Sequence, residues 1–540
     1  MIKTVMKFAA ALLCALLLAS CAAQTNPPPE ANQPPQIESS TLAMSDMAYK
    51  PADSSGIIVH DFDLGNGELK NILGQDVPCP LEGIIAAPSG GGPYPLVMIF
   101  HGATRINSIH DKIYAGFDYL VKQLAAEGYV AVSVNVNVEY TFDYGESLNY
   151  EWAYQIYKQH MDNLERANAG KDPGYGVDLA SKIDFSRVYM IGHSRGGELA
   201  DAIVRREQAE GLHRIKSLLL IQPGTLIYDE PYPDIPTGIV LGEFDGDVPE
   251  DGQYIFDYIQ REPGRKAPAS LVYLRGANHN FFNRAMLADD GTSEKNRLTR
   301  EQQEDFLTHY AGAFLSMYAK GNAPWGIWDV KEAQPVSMFG YAVTASYFQP
   351  GRRSLLSVSE TGLSALQAGG AATVSYTEQT PGPGGILFHH PGGSMNDRTL
   401  PLYRIGWNGT DGAVSLPMQT TDLSNFSALS LFVAADSSDG LNPPGKPQAF
   451  TVTLKDGSGM LRSVLIPAGT SALAWHSGEA QEFEGFDTTF TVWSGQMPLG
   501  ELRIPLSCFE GLDFSKITEC SILLNQTPSG AVMTSGLFAV

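Results

Sequence analysis

A serine stands between glycines at the point where a predicted strand gives way to a predicted helix. The string is GHSRG, residues 192–196, with Ser194 at its centre. Residues 188–191 are typical of a buried strand, and the apolar residues after the string recur at helical spacing. Glycines lack the Cβ atoms that would clash where strand and helix approach this closely. The turn is therefore predicted to present the Ser194 hydroxyl above the sheet edge as a nucleophile.

The partners that such a serine needs follow two later predicted strands. A serine hydroxyl reacts poorly until a base takes its proton, and a third group must hold that base. His279 lies in the loop after the predicted strand 271–274, and both Asp245 and Asp247 follow the predicted strand 238–241. Asp245 is preferred as the acid because it comes directly at the strand end, and Asp247 is assigned to supporting the turn. Ser194, Asp245 and His279 are the predicted catalytic residues.

Two backbone amides are predicted to bind the oxyanion that forms when the serine attacks. One is the N–H of Arg195, at the start of the helix. The other is the N–H of Ala103, in the loop after the predicted strand 96–100, with Thr104 as the alternative donor. The Arg195 side chain is expected to pair with Glu198 or another acid. The predicted substrate pocket consists of one loop residue and three aromatic residues, Thr104, Tyr140, Tyr144 and Trp152.

Other histidines and cysteines are assigned structural roles. His101 is expected to bond nearby backbone, and His193 to point away from substrate and support the serine turn. No H-E-x-x-H or paired C-x-x-C motif occurs in the sequence. The sequence therefore indicates no metal and no cofactor. For Cys508 and Cys520, a disulfide and two free thiols are both open.

Short apolar runs alternate with helical patterns from about residue 55 to residue 320. This alternation indicates a doubly wound, mostly parallel sheet with helices on both faces. The segments 56–64 and 81–88 are predicted as an antiparallel edge, and the capping box at 299–302 opens a last helix to about Tyr318. The predicted strands of the parallel sheet are 96–100, 130–136, 188–191, 218–221, 238–241 and 271–274.

After Gly321 the composition changes to alternating strands between Gly, Pro, Ser and Thr turns. This texture predicts a second, all-β sandwich domain over residues 345–540, after a catalytic domain over residues 51–330. The net charge of −23 argues against a nucleic-acid partner, because phosphate binding needs a basic patch.

The N-terminus is typical of an export signal. Two lysines precede an apolar run, residues 8–18, and the run ends in LASC, which resembles a bacterial lipobox. Residues 1–21 are predicted as a lipoprotein signal peptide ending at Cys21, the lipidated residue. Residues 22–50 are Pro-rich and polar, and they are predicted to form a tether. The sequence thus predicts a protein anchored to the membrane at the cell envelope, facing outside the cytoplasm.

With these motifs in this order, residues 55–320 resemble the α/β-hydrolase superfamily. The strings GHSRGGE and GANHNFFN are similar to a bacterial branch near dienelactone hydrolases, chlorophyllases and platelet-activating-factor acetylhydrolases. Dienelactone hydrolases proper use a cysteine nucleophile, where this chain has Ser194. The resemblance implies a serine carboxylesterase or lipase-like enzyme that hydrolyses small or polymeric esters through an acyl-enzyme.

Residues 345–540 resemble carbohydrate-binding or galactose-binding-like jelly rolls. Binding of a polysaccharide and a structural role are both open for this part. Two alternatives to an esterase also stay open: a serine peptidase of the same fold, and a glycan-binding lipoprotein with a vestigial hydrolase domain.

Overall fold

The structure is a computed structural model, and it describes eight stretches of the chain. They are residues 39–145, 147–224, 231–249, 251–293, 295–379, 385–387, 400–484 and 489–540. The predicted signal peptide, Cys21 and the first part of the predicted tether lie outside the described residues and stay predictions. No helix in these stretches is long and apolar enough to span a bilayer.

The strands and helices have the following bounds. The first fourteen strands are β1 (Ser39–Thr41), β2 (Asp46–Met47), β3 (His60–Asn66), β4 (Leu69–Lys70), β5 (Asp76–Val77), β6 (Pro80–Ala86), β7 (Tyr94–Phe100), β8 (Val130–Val134), β9 (Ile183–His193), β10 (Ile215–Ile221), β11 (Thr237–Gly242), β12 (Ala269–Leu274), β13 (Ser337–Met338) and β14 (Tyr341–Phe348). The helices are α1 (Asp118–Ala126), α2 (Glu151–Asn168), α3 (Arg195–Ala209), α4 (Asp251–Arg261) and α5 (Arg300–Tyr318). The later strands are β15 (Arg353–Ser357), β16 (Gln367–Gly369), β17 (Ala372–Gln379), β18 (Gly385–Leu387), β19 (Leu400–Asn408), β20 (Gly412–Thr421), β21 (Ala428–Ala435), β22 (Phe450–Asp456), β23 (Leu461–Ile466), β24 (Ala480–Glu484), β25 (Thr489–Trp493), β26 (Gln496–Pro498), β27 (Gly500–Pro505), β28 (Ile517–Leu524) and β29 (Ser529–Ala539).

One sheet of eleven strands dominates the first part of the chain. Its order is β2-β13-β14-β12-β11-β10-β9-β7-β8-β6-β3. In the central part of this order, β12-β11-β10-β9-β7-β8, adjacent strands are parallel to one another. The six predicted apolar runs fall on these six strands, with the run 130–136 extending two residues beyond β8. Strands β3 and β6 pair antiparallel beside β8, as predicted. The predicted mostly parallel sheet is confirmed.

Helices cover both faces of this sheet. Apolar residues of α2, α3 and α4 pack into one buried cluster, and those of α1 and α5 pack into a second cluster. The predicted capping box opens α5: the Thr299 hydroxyl accepts the Gln302 N–H at 3.3 Å, and the Gln302 side chain accepts the Thr299 N–H at 2.8 Å. The carboxyl ends of the parallel strands therefore meet at one edge between two helical layers, where α/β folds place their sites.

The sheet extends further along the chain than the sequence predicts. Strand β14 pairs antiparallel with β12, although it lies beyond residue 330, where the catalytic domain was predicted to end. At the start of the described chain, β2 is an edge strand of this sheet and its Met47 is buried. The preceding strand β1 pairs with β23, in a different sheet. Residues 39–47 thus pack against the folded chain, which differs from the tether predicted there.

The described residues of the β-rich part form two large, mainly antiparallel sheets, together with the two-stranded sheets β18-β26 and β24-β25. One has the order β1-β23-β22-β28-β20-β16, and the other has the order β17-β19-β29-β21-β27, with β15 beside β29. Both sheets contribute to one core, for example through Val452 and Val464 from the first and Leu431 and Ile504 from the second. Jelly-roll connectivity stays a prediction. Cys508 and Cys520 are free thiols.

A buried ion pair joins the β-rich part to the segment after α5. The Arg503 Nη2 lies 3.0 Å from the Glu501 Oε2, and both side chains are fully buried. Arg503 also donates to the carbonyls of Ile327 and Asp329 at 2.8 and 2.7 Å, and Glu501 accepts the Tyr347 N–H of β14 at 3.0 Å. Burial alone would raise the pKa of Glu501, but the Arg503 charge and hydrogen bonds hold it below its ordinary value. The β-rich part is therefore integrated with the eleven-stranded sheet.

Removing one partner of this pair should be costly. We expect Arg503→Ala to lower the free energy of unfolding by about 3–5 kcal/mol, because it leaves a carboxylate buried without its counter-charge. Urea unfolding followed by tryptophan fluorescence measures the change. The matched control Arg353→Ala removes an exposed arginine and should change stability by no more than about 0.5 kcal/mol. Equal midpoints for the two variants would contradict this account.

Candidate active site

The turn at Ser194 holds its backbone in a conformation that side-chain-bearing residues rarely adopt. Ser194 lies between β9 and α3 with φ 54° and ψ −130°. A backbone of this kind costs on the order of 1–3 kcal/mol. A Cβ on Gly192 would lie 2.3 Å from the Gly196 carbonyl oxygen, and one on Gly196 would lie 2.2 Å from the Phe100 carbonyl oxygen. Glycine is therefore needed at both positions for α3 to pack this closely on β9 and β7.

Backbone hydrogen bonds hold the strained turn in place. The Ser194 N–H donates to the Ile221 carbonyl at 2.9 Å, at the end of β10. The Ser194 carbonyl accepts the N–H groups of Gly197 and Gly224 at 2.9 and 3.2 Å. Within the described stretches, the Ser194 hydroxyl itself forms no hydrogen bond, so it is not committed to a structural role.

A buried carboxylate contacts one ring nitrogen of His279. The Asp245 Oδ2 lies 3.0 Å from the His279 Nδ1, and Asp245 is 1% exposed. The other carboxylate oxygen accepts the N–H groups of Asp247 and Val248 at 2.7 and 2.9 Å. Asp245 is therefore fixed by its own loop and in turn fixes the orientation of the imidazole.

The second ring nitrogen of His279 is available. Its Nε2 is buried, and no described residue forms a hydrogen bond with it. The exposed Asp247 carboxylate approaches the Nε2 to 3.6 Å. Asp245 and Asp247, the two candidate acids, thus face different ring nitrogens. Asp245 contacts the Nδ1, and this contact fixes the orientation of the ring.

Carboxylates make His279 a stronger base than an ordinary histidine. Burial acts to lower the pKa of His279, but the hydrogen bond and charge of Asp245, with the charges of Asp247 and Asp290, raise it above its ordinary value. The backbone N–H of His279 also donates to the Asp290 carboxylate at 3.0 Å, which places this charge near the ring. The ring therefore accepts a proton readily, and it becomes protonated at a higher pH than a free histidine.

The loop after β7 packs directly on the serine turn. A Cβ on Gly102 would lie 2.6 Å from the Ser194 Cβ, so the loop can approach this closely only with glycine there. No described residue accepts the N–H of Ala103, the next residue. The Arg195 N–H begins α3 and has no partner inside the helix. The structure thus brings both predicted oxyanion donors to the surroundings of Ser194.

His101 secures this loop, as the sequence predicts. Its Nδ1 bonds the Gly102 carbonyl at 2.9 Å, and its Nε2 accepts the Val136 N–H at 3.2 Å. Burial lowers the pKa of His101 to about 4, so the ring is neutral at pH 7. The Tyr140 hydroxyl donates to the His101 carbonyl at 2.6 Å, which places this predicted pocket residue against the loop.

His193 contacts the loop after β12, which carries His279. Its Nε2 lies 3.0 Å from the His279 carbonyl oxygen, and the two ring centroids are 5.0 Å apart. The His193 side chain therefore points into the protein, where it helps to hold the backbone of His279.

Arg195, Tyr140, Glu198 and Tyr150 form a polar cluster beside the loop after β7. The Arg195 guanidinium is 5.2 Å from the Tyr140 ring centroid, and its Nε is 4.0 Å from the Glu198 carboxylate, the predicted partner. Glu198 also accepts the Tyr150 hydroxyl at 2.5 Å. The sequence analysis missed Tyr150. This residue lies just before α2 with a left-handed φ of 56°, so the periodicity of the helix does not predict where its side chain points.

The predicted pocket needs one correction. Trp152 is 2% exposed, and its indole N–H donates to the Lys70 carbonyl at 2.9 Å. It lies on the face of α2 that packs into the core, so it offers no surface to a substrate. Tyr144 is half-buried, and its carbonyl accepts the Asn71 side chain at 3.2 Å. Thr104 is partly exposed in the loop after Ala103.

No three His, Cys, Asp or Glu side chains of the described stretches are placed to hold a metal ion.

Comparison with known proteins supports the fold of this region. A protein-family model described as alpha/beta hydrolase fold matches residues 98–243. The match begins within β7, includes the loop after β7 and the Ser194 turn, and ends just before Asp245. No curated protein matches the chain. The chain thus contains an α/β-hydrolase fold domain, and the match supports a hydrolase.

Proposed function

We propose that the protein is a serine hydrolase of carboxylic esters, with Ser194 as nucleophile, His279 as general base and Asp245 as the orienting acid. The observation that carries this proposal is the buried contact between Asp245 and the Nδ1 of His279, which leaves the Nε2 unbonded. The three residues follow β9, β12 and β11, parallel strands of one sheet in the order β12-β11-β10-β9, and the carboxyl ends of these strands share one sheet edge.

Acylation uses these groups as follows. The His279 Nε2 takes the Ser194 proton as the Oγ attacks the ester carbonyl carbon. The oxyanion of the tetrahedral intermediate accepts the N–H groups of Ala103 and Arg195. As the intermediate collapses, the bond to the alcohol oxygen breaks. The proton on Nε2 passes to that oxygen, and the alcohol leaves.

Deacylation repeats the steps with water. The Nε2 takes a proton from water while the hydroxide oxygen attacks the acyl-enzyme, and the same two amides stabilise the second oxyanion. The bond to the Ser194 Oγ then breaks, the Oγ regains a proton from Nε2, and the carboxylic acid is released. Asp245 stays ionised throughout and stabilises the imidazolium.

The strain at Ser194 supports an active enzyme over a vestigial hydrolase domain. Glycine would adopt this backbone conformation without the strain energy that serine incurs. Strained residues other than glycine are therefore found mainly where the side chain has a function. A chain without need of the hydroxyl gains nothing from serine there. The peptidase alternative would use the same steps on an amide, and no contact in the site favours it over ester hydrolysis.

Two substitutions of Ser194 separate its chemistry from its strain. Ser194→Ala should lower kcat/KM for p-nitrophenyl acetate at least about 10⁴-fold, because the nucleophile is lost. Ser194→Gly should be equally inactive but more stable than Ser194→Ala by about 1 kcal/mol or more, since glycine adopts φ 54° freely. Ester-hydrolysis kinetics and urea unfolding measure the two effects. Full activity of Ser194→Ala, or a less stable glycine variant, would contradict the assignment.

The two aspartates should differ in kind. Asp245→Asn should lower kcat about 10⁴-fold, because the amide no longer orients the ring or stabilises its charged form. Asp247→Asn should keep activity and shift the acid limb of the kcat/KM profile to lower pH. The base works unprotonated, so activity is lost as the pH falls through the pKa of His279, and removing the Asp247 charge lowers that pKa. The reverse ranking, or a shift of the limb to higher pH, would count against these roles.

A further inference from the structure

A polar cavity of about 630 Å³ lies between the loop that carries Asp245 and the β-rich part of the chain. Glu243 and Asp245 line it from one side, and His476, Glu479, Ser494 and Gln496 line it from the other. Ser194 and His279 are not part of its wall. The cavity is therefore distinct from the proposed acyl site, although the two share Asp245. Its volume is within the range of small-molecule sites, about 300–1,000 Å³.

The wall of the cavity disfavours anions and suits hydroxyl groups. Glu243 and Glu479 contribute carboxylates, and Ser494 and further serine and threonine residues contribute hydroxyls. The Asp245 carboxylate is already bonded to its own loop and to His279. Among the described residues, no lysine or arginine lines the cavity. A phosphate or carboxylate ligand would meet like charges without a cation to pair with. A ligand hydroxyl, in contrast, can donate to a carboxylate and accept from an amide or hydroxyl.

His476 supplies an unpaired polar atom at this wall. The side chain is 4% exposed. Its Nδ1 lies 3.9 Å from the Glu243 Oε1, beyond hydrogen-bond distance, and has no hydrogen-bond partner in the described stretches. Burial, together with the nearby Arg275 charge, holds the pKa of His476 well below its ordinary value, so the ring is neutral. Leaving such an atom unpaired costs about 1–3 kcal/mol. A ligand hydroxyl satisfies it in either tautomer, because a hydroxyl both donates and accepts.

The two sides of the cavity are held together by direct contacts. The Tyr273 hydroxyl, on β12, donates to the Gln496 side-chain oxygen at 3.0 Å, and the Tyr273 ring meets the His476 ring edge-on at 6.3 Å. The Ser494 Oγ accepts the Glu479 N–H at 3.0 Å, which ties the two lining loops of the β-rich part. The cavity is therefore built in advance of any ligand.

We propose that this cavity binds a neutral polyhydroxylated ligand, a sugar unit of a glycan. Its position beside the Asp245 loop would hold such a glycan next to the proposed active site and anchor a polymeric ester there by a second contact. The binding itself does not rest on the proposed ester hydrolysis, so the two can be tested separately.

The test is calorimetric titration of the protein with neutral oligosaccharides, namely xylotetraose, cellotetraose, mannotetraose and maltotetraose, and with an oligogalacturonate as the anionic comparison. We expect at least one neutral sugar to bind. His476→Phe keeps the ring against Tyr273 and removes its polar atoms, and it should weaken binding about tenfold. The matched control is His160→Phe. His160 is equally buried, with both ring nitrogens unpaired, but it does not line the cavity.

A second variant keeps the test informative if His476→Phe fails to fold. Ser477 is exposed at the cavity wall, so Ser477→Trp should fill the cavity without disturbing the core and should abolish sugar binding. The proposal is overturned if no neutral sugar binds the unmodified protein. It is also overturned if binding is equal in the unmodified, His476→Phe and Ser477→Trp proteins, or if the oligogalacturonate binds more tightly than every neutral sugar.

Discussion

The close approach of helix α3 to strands β9 and β7 determines where the reacting groups stand. There is no room for a Cβ at Gly192 or Gly196, and the chain between them turns through the strained backbone of Ser194. This turn presents the hydroxyl at the sheet edge and sets the Arg195 N–H at the start of α3. The loop after β7 closes on the same point, with only Gly102 able to meet the Ser194 Cβ. The proposed oxyanion donors and the proposed nucleophile are thus positioned by one steric constraint.

A second constraint acts through the loop after β11. Asp245 uses one carboxylate oxygen to bond its own loop and the other to hold His279. The same loop forms one wall of the polar cavity, whose opposite wall belongs to the β-rich part. The Tyr273 hydroxyl on β12 donates to the Gln496 side chain in the β-rich part. Tyr273 lies near the end of β12, the strand that precedes the loop with His279. The β-rich part therefore contacts the strand ends that carry the proposed acid and base, and the buried Glu501–Arg503 pair on β27 adds a second set of contacts to the first sheet.

Much of this arrangement could be predicted from the sequence, because the parallel strands are continuous apolar runs and the Ser194, Asp245 and His279 segments each follow one. What could not be predicted depends on contacts distant in the chain. Strand β14 has the alternation of a sandwich strand, and only its pairing with β12 assigns it to the first sheet. The sequence offers Trp152 as an aromatic candidate for the substrate pocket, but it could not show that the core covers the face of α2 on which Trp152 lies. The residues of the cavity wall come from separate segments, at 243–249, 292–293, 476–479 and 494–496, and no local pattern links the first two to the last two.

The central claim is that Ser194 is a nucleophile activated by His279, and covalent labelling tests it most directly. The protein would be incubated with a fluorophosphonate, digested, and mapped by mass spectrometry. The account predicts one phosphonyl group per protein on the peptide that contains Ser194, formed quickly in the unmodified protein and at a greatly reduced rate in His279→Ala. A protein that takes up no label, or a label on another residue, would contradict it.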